Sequence, residues 1–179
     1  MSNFPRTGAC LRRILVGILA LASSSCVATS RMGMVEVSDV GGKPCFTVPT
    51  ELETQNGIPL YGLIVSELTL RDRGNILPVE LWRFGATDVK SPPLIYPKQC
   101  VQYGQTPQQT TQKTLKSLEL FHPYAVSIRA KGTNTSVIAY AAEFCLTADQ
   151  TGKTQVLTIS ADRRQGDERY KVCAPSQQR

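Results

Sequence analysis

The sequence predicts one all-β domain, an antiparallel β-sandwich, and three observations support this prediction. From Met34 onward, apolar and polar residues alternate in short stretches, which is the period of half-buried strands. Glycine, proline, asparagine and aspartate separate these stretches at regular intervals. The part of the chain that alternates, residues 34–173, has the length of one domain with a substantial core. About eight or nine short strands separated by turns are typical of a sandwich.

A positively charged segment and a short apolar run precede the predicted domain. Three arginines come before the run 14–22, and three serines and Cys26 follow it. This order predicts a secretory signal peptide, residues 1–25. A permanent membrane helix is not expected, because the run has about half of the roughly 20 residues that span a bilayer. A buried helix of a cytosolic domain would need a polar face, which this run lacks.

Cys26 is predicted to carry a lipid. Ser24 and Ser25 before it are small, as signal peptidase II requires, although Ser23 stands where leucine is usual. The alternative is ordinary cleavage after a small residue such as Ser24, which would leave Cys26 as a free thiol. The cysteine count favours lipidation: Cys10 leaves with the signal, and a lipidated Cys26 leaves an even number of cysteines that can all pair.

The first half of the chain after Cys26 is predicted to hold a tether and four strands. Residues 26–33 are mostly small or polar and are expected to link the lipid to the domain. Alternating residues then predict strands at 35–39, 45–48, 61–70 and 79–84. Prolines confine the segment after them to a sheet edge or an irregular crossing. The stretch 105–113 is rich in glutamine and threonine and is expected to be an exposed loop. Leu115, Leu118 and Leu120 in the stretch 114–120 fit either a short helical turn or a strand, of which we favour an edge strand.

The second half contains the clearest element, a hairpin. Strands at 124–130 and 138–146 alternate strictly, and residues 131–135 between them are typical of a turn. Further strands are expected at 155–160 and 170–173, and residues 174–179 are expected to be a tail. The whole arrangement favours an immunoglobulin-like sandwich.

Four cysteines remain in the predicted domain, all on the more polar phase of their strands: Cys45, Cys100, Cys145 and Cys173. This placement argues against a disulfide through the core of the sandwich. It favours bridges between neighbouring strands, or from a strand to a covering loop. Four cysteines allow three pairings, among which we favour Cys45–Cys100 and Cys145–Cys173. Each bridge would stabilise the fold by about 2–4 kcal/mol.

Charge and motif content argue against a nucleic-acid partner and against catalysis. The formal charge of +6 falls to +3 once the signal arginines are removed, and the basic residues are scattered. The single histidine, His122, is expected to be a turn residue rather than a general base. No cofactor, metal or small-molecule substrate is expected, because the sequence lacks the motifs that bind phosphates, zinc or an acyl group. We predict a non-enzyme; the alternative is an envelope hydrolase that uses folded-together carboxylates such as Glu143 and Glu168.

Trp82, Arg83 and Phe84 form the predicted partner-binding surface, because aromatic residues and arginine anchor protein interfaces. The alternative is that Trp82 or Phe84 belongs to the core. The polar stretch 105–113 is a second candidate contact.

Six motifs occur in order along most of the chain after Cys26: Lys43-Pro44-Cys45-Phe46, Leu81-Trp82, Tyr96-Pro97-Lys98-Gln99-Cys100 with Tyr103-Gly104, Tyr124-Ala125-Val126, Tyr140-Ala141-Ala142-Glu143-Phe144-Cys145 and Tyr170-Lys171-Val172-Cys173. In these the sequence resembles the type VI secretion immunity periplasmic lipoproteins of Gram-negative bacteria. The resemblance implies a small β-rich domain that is lipid-anchored and faces the periplasm. It also implies binding and neutralisation of a cognate effector toxin, and it assigns no catalytic residues.

Val27 after Cys26 favours the outer membrane, since bacterial lipoproteins retained at the inner membrane usually carry aspartate there. The expected partners are therefore a toxin protein and a membrane reached through the lipid. A structural or assembly lipoprotein of the envelope is the alternative function.

Overall fold

The computed structural model describes residues 31–50, 54–70, 75–130, 137–164 and 167–175. The predicted signal peptide, Cys26 and the turn at 131–135 lie outside the described residues. Within the described ranges the strands are β1 (Arg31–Met34), β2 (Glu36–Val40), β3 (Lys43–Thr47), β4 (Ile58–Leu70), β5 (Ile76–Ala86), β6 (Leu94–Ile95), β7 (Val101–Gln102), β8 (Thr110–Leu115), β9 (Pro123–Ala130), β10 (Val137–Ala148) and β11 (Thr154–Ile159). A 3-10 turn (Ala161–Arg163) and a short helix α1 (Glu168–Cys173) follow.

Eight strands form the larger sheet. Its strand order is β1-β10-β9-β4-β5-β8, with β11 also paired to β10 and β6 to β4. The predicted hairpin is present as β9 and β10, with Tyr140 opposite Ile128. One pair departs from the predicted antiparallel arrangement, because β1 runs parallel to β10.

The smaller sheet has the order β2-β3-β7 and packs against the larger one. The Phe46 ring on β3 lies 6.3 Å from the Trp82 ring and 5.5 Å from the Phe144 ring, centroid to centroid. Residues of both sheets therefore share one hydrophobic core. Val35 joins the sheets: its N–H donates to the Ala141 carbonyl, and the chain then passes from β1 to β2. The prediction of an all-β fold is confirmed.

Strand register defines two ends of the larger sheet. Arg31 lies beside Val137 at the start of β10, and Leu60 lies opposite Ala130 near the same end. We call this the β1 end. At the other end, Ala148 of β10 pairs with Thr154 of β11. We call it the Ala148 end.

The prediction of a strand at 170–173 is wrong, because this segment is helix α1. Arg169 and Cys173 are one helical turn apart and are both buried. Lys171 pairs with Glu168 and Asp167 at 2.7 and 3.3 Å, the spacing at which a helix brings opposite charges together. No segment of the described chain pairs with these residues as a ladder, so local contacts decide their conformation.

The expected loop at 105–113 is wrong for its last part. Residues from Thr110 onward form β8, which pairs with the open edge of β5, and β8 ends at Leu115. Its residues alternate between half-buried and exposed, as expected of a polar edge strand. The edge of β5 supplies backbone partners, which outweighs the loop-like composition.

The folded domain begins earlier than predicted. β1 starts at Arg31, so the last residues of the predicted tether belong to the sheet. Gly33 in this strand lies under the Tyr140 ring, whose nearest atoms leave no room for a Cβ. Glycine at this position therefore lets β1 lie flat against β10.

Both predicted disulfides are confirmed. Cys45 of β3 is bonded to Cys100 just before β7, with Cα atoms 5.4 Å apart, and Cys145 of β10 is bonded to Cys173 of α1 at 5.8 Å. The second bridge and Ile159 form a small apolar cluster separate from the main core. Two disulfides are typical of an oxidising, non-cytoplasmic compartment. Among the described residues, no helix is long and apolar enough to cross a membrane.

Candidate partner-binding groove

Trp82 and Phe84 do not form an exposed surface. Their relative exposures are 0% and 1%, so both rings belong to the core and the prediction that they contact a partner is corrected. A β-bulge lies just before Trp82. Val65 pairs with Trp82 and Ser66 with Glu80, which leaves Leu81 as the extra residue on β5 and turns both Leu81 and Trp82 inward.

Arg83 is the only member of the predicted surface that reaches solvent. Its guanidinium forms a salt bridge with Glu80 on the same strand. The Glu80 carboxylate also accepts a hydrogen bond of 3.1 Å from the Thr114 hydroxyl of β8. These contacts tie Arg83 to the junction between β5 and β8.

A groove of about 820 Å³ lies toward the Ala148 end of the molecule. The β2–β3 turn, the residues after β7 and the residues after β8 form most of it, and Leu146 and Thr154 contribute from the larger sheet. The lining residues are Gly42, Lys43, Pro44, Gln102, Tyr103, Gly104, Gln105, Leu115, Lys116, Ser117, Leu118, Leu120, Leu146 and Thr154.

One wall of the groove is the segment Lys116–Leu120, which connects β8 to β9 and which we call the crossing segment. Its first N–H, on Lys116, donates to the Leu81 carbonyl at 2.9 Å. Just after its last residue, the Phe121 N–H donates to the Leu146 carbonyl at 2.7 Å. Backbone hydrogen bonds thus hold both ends of the crossing segment to the larger sheet.

Two tyrosine hydroxyls hold the crossing segment between these ends. Tyr103 donates to the Lys116 carbonyl at 2.8 Å. Tyr124 accepts from the Glu119 N–H at 2.7 Å and donates to the Glu119 carbonyl at 3.0 Å. The Trp82 ring packs edge-on against Tyr103, with centroids 5.0 Å apart. Core packing therefore sets the position of this wall.

Burial raises the pKa of Tyr103 and of Tyr124 to about 12. Both hydroxyls therefore remain protonated, and able to donate, throughout the physiological range.

Removing the Tyr124 hydroxyl by the substitution Tyr124→Phe is expected to lower the free energy of unfolding by about 1–2 kcal/mol. The phenol bonds both backbone groups of Glu119, and its ring is buried. Amide hydrogen exchange should also accelerate at the crossing segment, which mass spectrometry would measure. Tyr103→Phe is the matched comparison and should cost less, because water can reach the Lys116 carbonyl. Equal losses in the two variants would contradict the assignment of Tyr124 as the main support.

Alkaline pH should destabilise the protein. Between pH 10 and about 12 the unfolded chain loses its tyrosine protons while the folded protein keeps those of Tyr103 and Tyr124. The folded state then binds more protons, so the free energy of unfolding falls as pH rises through this window. Denaturant titrations at several pH values should show a shallower fall for Tyr124→Phe than for the parent protein. Parallel pH profiles for the two proteins would contradict this account.

The charged groups that line the groove are cationic. Lys43 and Lys116 are both exposed and line it, and no lining residue among those described is acidic. Neither lysine forms a salt bridge with a described carboxylate. Asp39 is not part of the lining, but its carboxylate lies next to the groove, where it accepts from the N–H groups of Gly42 and Val156 at 2.8 and 2.9 Å.

Leucine side chains supply the apolar part of the groove. Leu115 and Leu120 are 50% and 37% exposed, and Leu118 packs against the core. Leu146 is nearly buried beneath them. Exposed leucines at the rim of a concave surface are typical of a site that binds another chain.

The carboxylates considered for hydrolysis lie away from the groove. Glu143 pairs with Arg169 of α1 at 3.3 Å on the other face of the larger sheet, and burial raises its pKa. Glu168 pairs with Lys171. In the described part of the chain, no three His, Cys, Asp or Glu residues come together in a way that could hold a metal ion.

A second cavity of about 490 Å³ lies on the side of the β1 end and is lined by Pro93, Leu94, Tyr96, Gln99, Cys100, Val101, Gln105, Pro107, Gln108 and Gln109. Glutamines make up much of its lining, and it is smaller than the groove.

No family model matches the chain, and no curated protein or solved structure is significantly similar to it.

Proposed function

We propose that this protein is a non-catalytic immunity protein that binds and neutralises a cognate type VI secretion effector toxin. It acts at the periplasmic face of the outer membrane, to which a lipid on Cys26 anchors it. The observation that carries the proposal is the groove, a concave surface of leucines and of lysines that pair with no described carboxylate. Core tyrosines hold one of its walls in place.

The distance along the chain between Cys26 and the fold supports this orientation. Arg31, where β1 begins, follows Cys26 by five residues, which span at most about 18 Å. The β1 end would therefore stay close to the membrane. The groove lies toward the opposite end, where it can meet a soluble protein.

Rigidity supports a binding role. We interpret the two sheets as an immunoglobulin-like sandwich, and the disulfide between Cys45 and Cys100 fixes β7 to β3 beside the groove. A wall that is already ordered loses little entropy on binding, so more of the contact energy becomes affinity. A stable complex would bury about 1,600 Å² in total, which extends well beyond the groove itself.

Coexpression in the periplasm tests the proposal. The exported chain carries Cys26→Ser, so that no lipid is attached, and is paired with the tagged product of the adjacent gene. One-to-one capture, together with relief of that product's toxicity, is the expected result. Deletion of the gene should also make the strain sensitive to its siblings. A deletion strain that stays fully resistant would overturn the immunity function.

A structural or assembly lipoprotein of the envelope is the second candidate, and exposed apolar residues at the β1 side favour it. Val89, Leu94 and Tyr96 are all exposed there. A lipoprotein of this kind would retain envelope components in the absence of any toxin. Copurification that is lost on replacing Val89 and Leu94 with serine, with unchanged resistance to siblings, would identify this function.

A further inference from the structure

We infer that the groove binds an extended segment of a partner protein in which carboxylates stand beside apolar side chains. The inference rests on the proposed function for the identity of the partner. Its chemistry rests on the groove alone.

The groove has room for several side chains of a bound segment. At about 820 Å³ the groove falls within the roughly 300–1,000 Å³ of sites that enclose drug-sized groups. It is open to solvent along the rim, where Leu115 and Leu120 are exposed. A chain that crosses the rim can place apolar side chains on these leucines and continue on either side.

The leucines explain why the bound segment must be partly apolar. Leu115 is the last residue of β8 and lies on the exposed face of that strand, where half of its surface is open to water. Covering such a side chain contributes about 25 cal/mol for each Å² of apolar area removed from water. An entirely polar segment would lose its own hydration over the leucines and gain no compensating contact.

The lysines explain why the segment must be acidic. Lys43 and Lys116 come from different walls and both line the groove, and its described lining holds no carboxylate. Exposed charge pairs contribute little affinity, but they select partners and speed encounter. A basic segment would meet two unneutralised ammonium groups and be rejected.

Two glutamines of the groove are already used within the fold. The Gln102 side-chain amide donates to the Val40 carbonyl at 3.1 Å. The Gln105 side-chain carbonyl accepts from the Gln102 N–H at 3.4 Å. Ser117 and Thr154 also line the groove, but their hydroxyls are neutral, so the two ammonium groups are the charged groups that the described lining offers to a ligand.

Fluorescence anisotropy with two labelled peptides tests the inference. One probe alternates glutamate with leucine, and the other alternates lysine with leucine. The full exported chain with Cys26→Ser should bind the glutamate peptide at least about tenfold more tightly than the lysine peptide. This preference should decrease as salt is raised from about 0.1 M to about 1 M, because the screening length of the charges becomes shorter. Equal affinity for the two peptides, or no binding of either, would overturn the inference.

Matched variants locate the binding. Lys43→Glu with Lys116→Glu should weaken binding of the glutamate peptide about tenfold or more, whereas Lys90→Glu with Lys98→Glu makes the same change of charge near the β1 end and should not. Leu115→Gln should weaken it several-fold, and the control Val89→Gln, at a more exposed apolar residue outside the groove, should not. Equal losses of affinity in the test and control variants would show that the peptide binds through net charge or through exposed apolar residues in general. That result would contradict binding in the groove.

Resistance assays separate this inference from the proposed function. If the protein prefers the glutamate peptide but deletion of its gene leaves resistance to siblings unchanged, the immunity function is overturned and the inference about the groove remains. Full protection by the doubly reversed lysine variant, with no peptide binding by the parent protein, overturns the inference and leaves the immunity function standing.

Discussion

Replacing both Cys45 and Cys100 with alanine is expected to lower the free energy of unfolding by about 4 kcal/mol. The bridge closes a loop of 55 residues, so its loss returns a large conformational entropy to the unfolded chain. A domain of this size is stable by about 5–15 kcal/mol, so the loss is a substantial part of the total. Urea denaturation followed by circular dichroism would measure it.

The other disulfide is the control. Cys145→Ala with Cys173→Ala opens a loop of 28 residues and should cost a similar amount, about 3.5 kcal/mol. The two variants should differ at the groove. Cys100 lies next to β7, which leads into Tyr103, whereas Cys173 lies in α1 on the other face of the larger sheet. Binding of the glutamate peptide should therefore weaken only when Cys45 and Cys100 are replaced, and equal weakening in both variants would contradict this assignment.

Trp82→Ala is expected to lower the free energy of unfolding by about 3–5 kcal/mol. The side chain is fully buried, with the rings of Phe46, Phe84 and Tyr103 at 6.3, 5.4 and 5.0 Å from its own. Truncation leaves a cavity under the Tyr103 wall of the groove. Denaturant titration measures the loss, and Trp82→Phe, which keeps an aromatic ring, should cost less.

The same variant tests the original surface interpretation of Trp82. If Trp82 is a core residue, Trp82→Ala should reduce stability strongly. It should reduce partner capture only by disturbing the Tyr103 wall of the groove. A loss of less than about 1 kcal/mol together with lost partner capture would instead identify Trp82 as an exposed anchor.

Long, strictly alternating stretches predicted their strands well. The stretch that became β9 buries one face, and the two-residue period follows from that burial. The stretch that became β4 is also a strand, but register shifts interrupt the alternation of its buried residues. The polar phase of the cysteines indicated bridges to neighbouring strands or to a covering loop but left three pairings open, and the structure contains the pairing that we favoured.

Short or polar stretches were predicted less well. Tyr170 to Cys173 alternates like a strand over too few residues to exclude a helix, and a disulfide together with side-chain ion pairs holds it as α1. β8 is polar on both faces, and only the open edge of β5 makes it a strand. The bulge at Leu81 shifts the phase within β5, which a fixed period cannot represent.

The sequence by itself determined the all-β class and the central hairpin of this protein, because the alternation of apolar and polar residues is a local consequence of burial. It left three disulfide pairings open, and the tertiary structure selects one of them. Only the tertiary structure decided where a partner could bind. The groove draws its lining from the β2–β3 turn, the end of β7 and the crossing segment, which lie far apart in the chain. The sequence shows Leu115, Leu118 and Leu120 as a short apolar series. Whether they are exposed depends on where the chain runs after β8, and the packing of the two sheets determines that path.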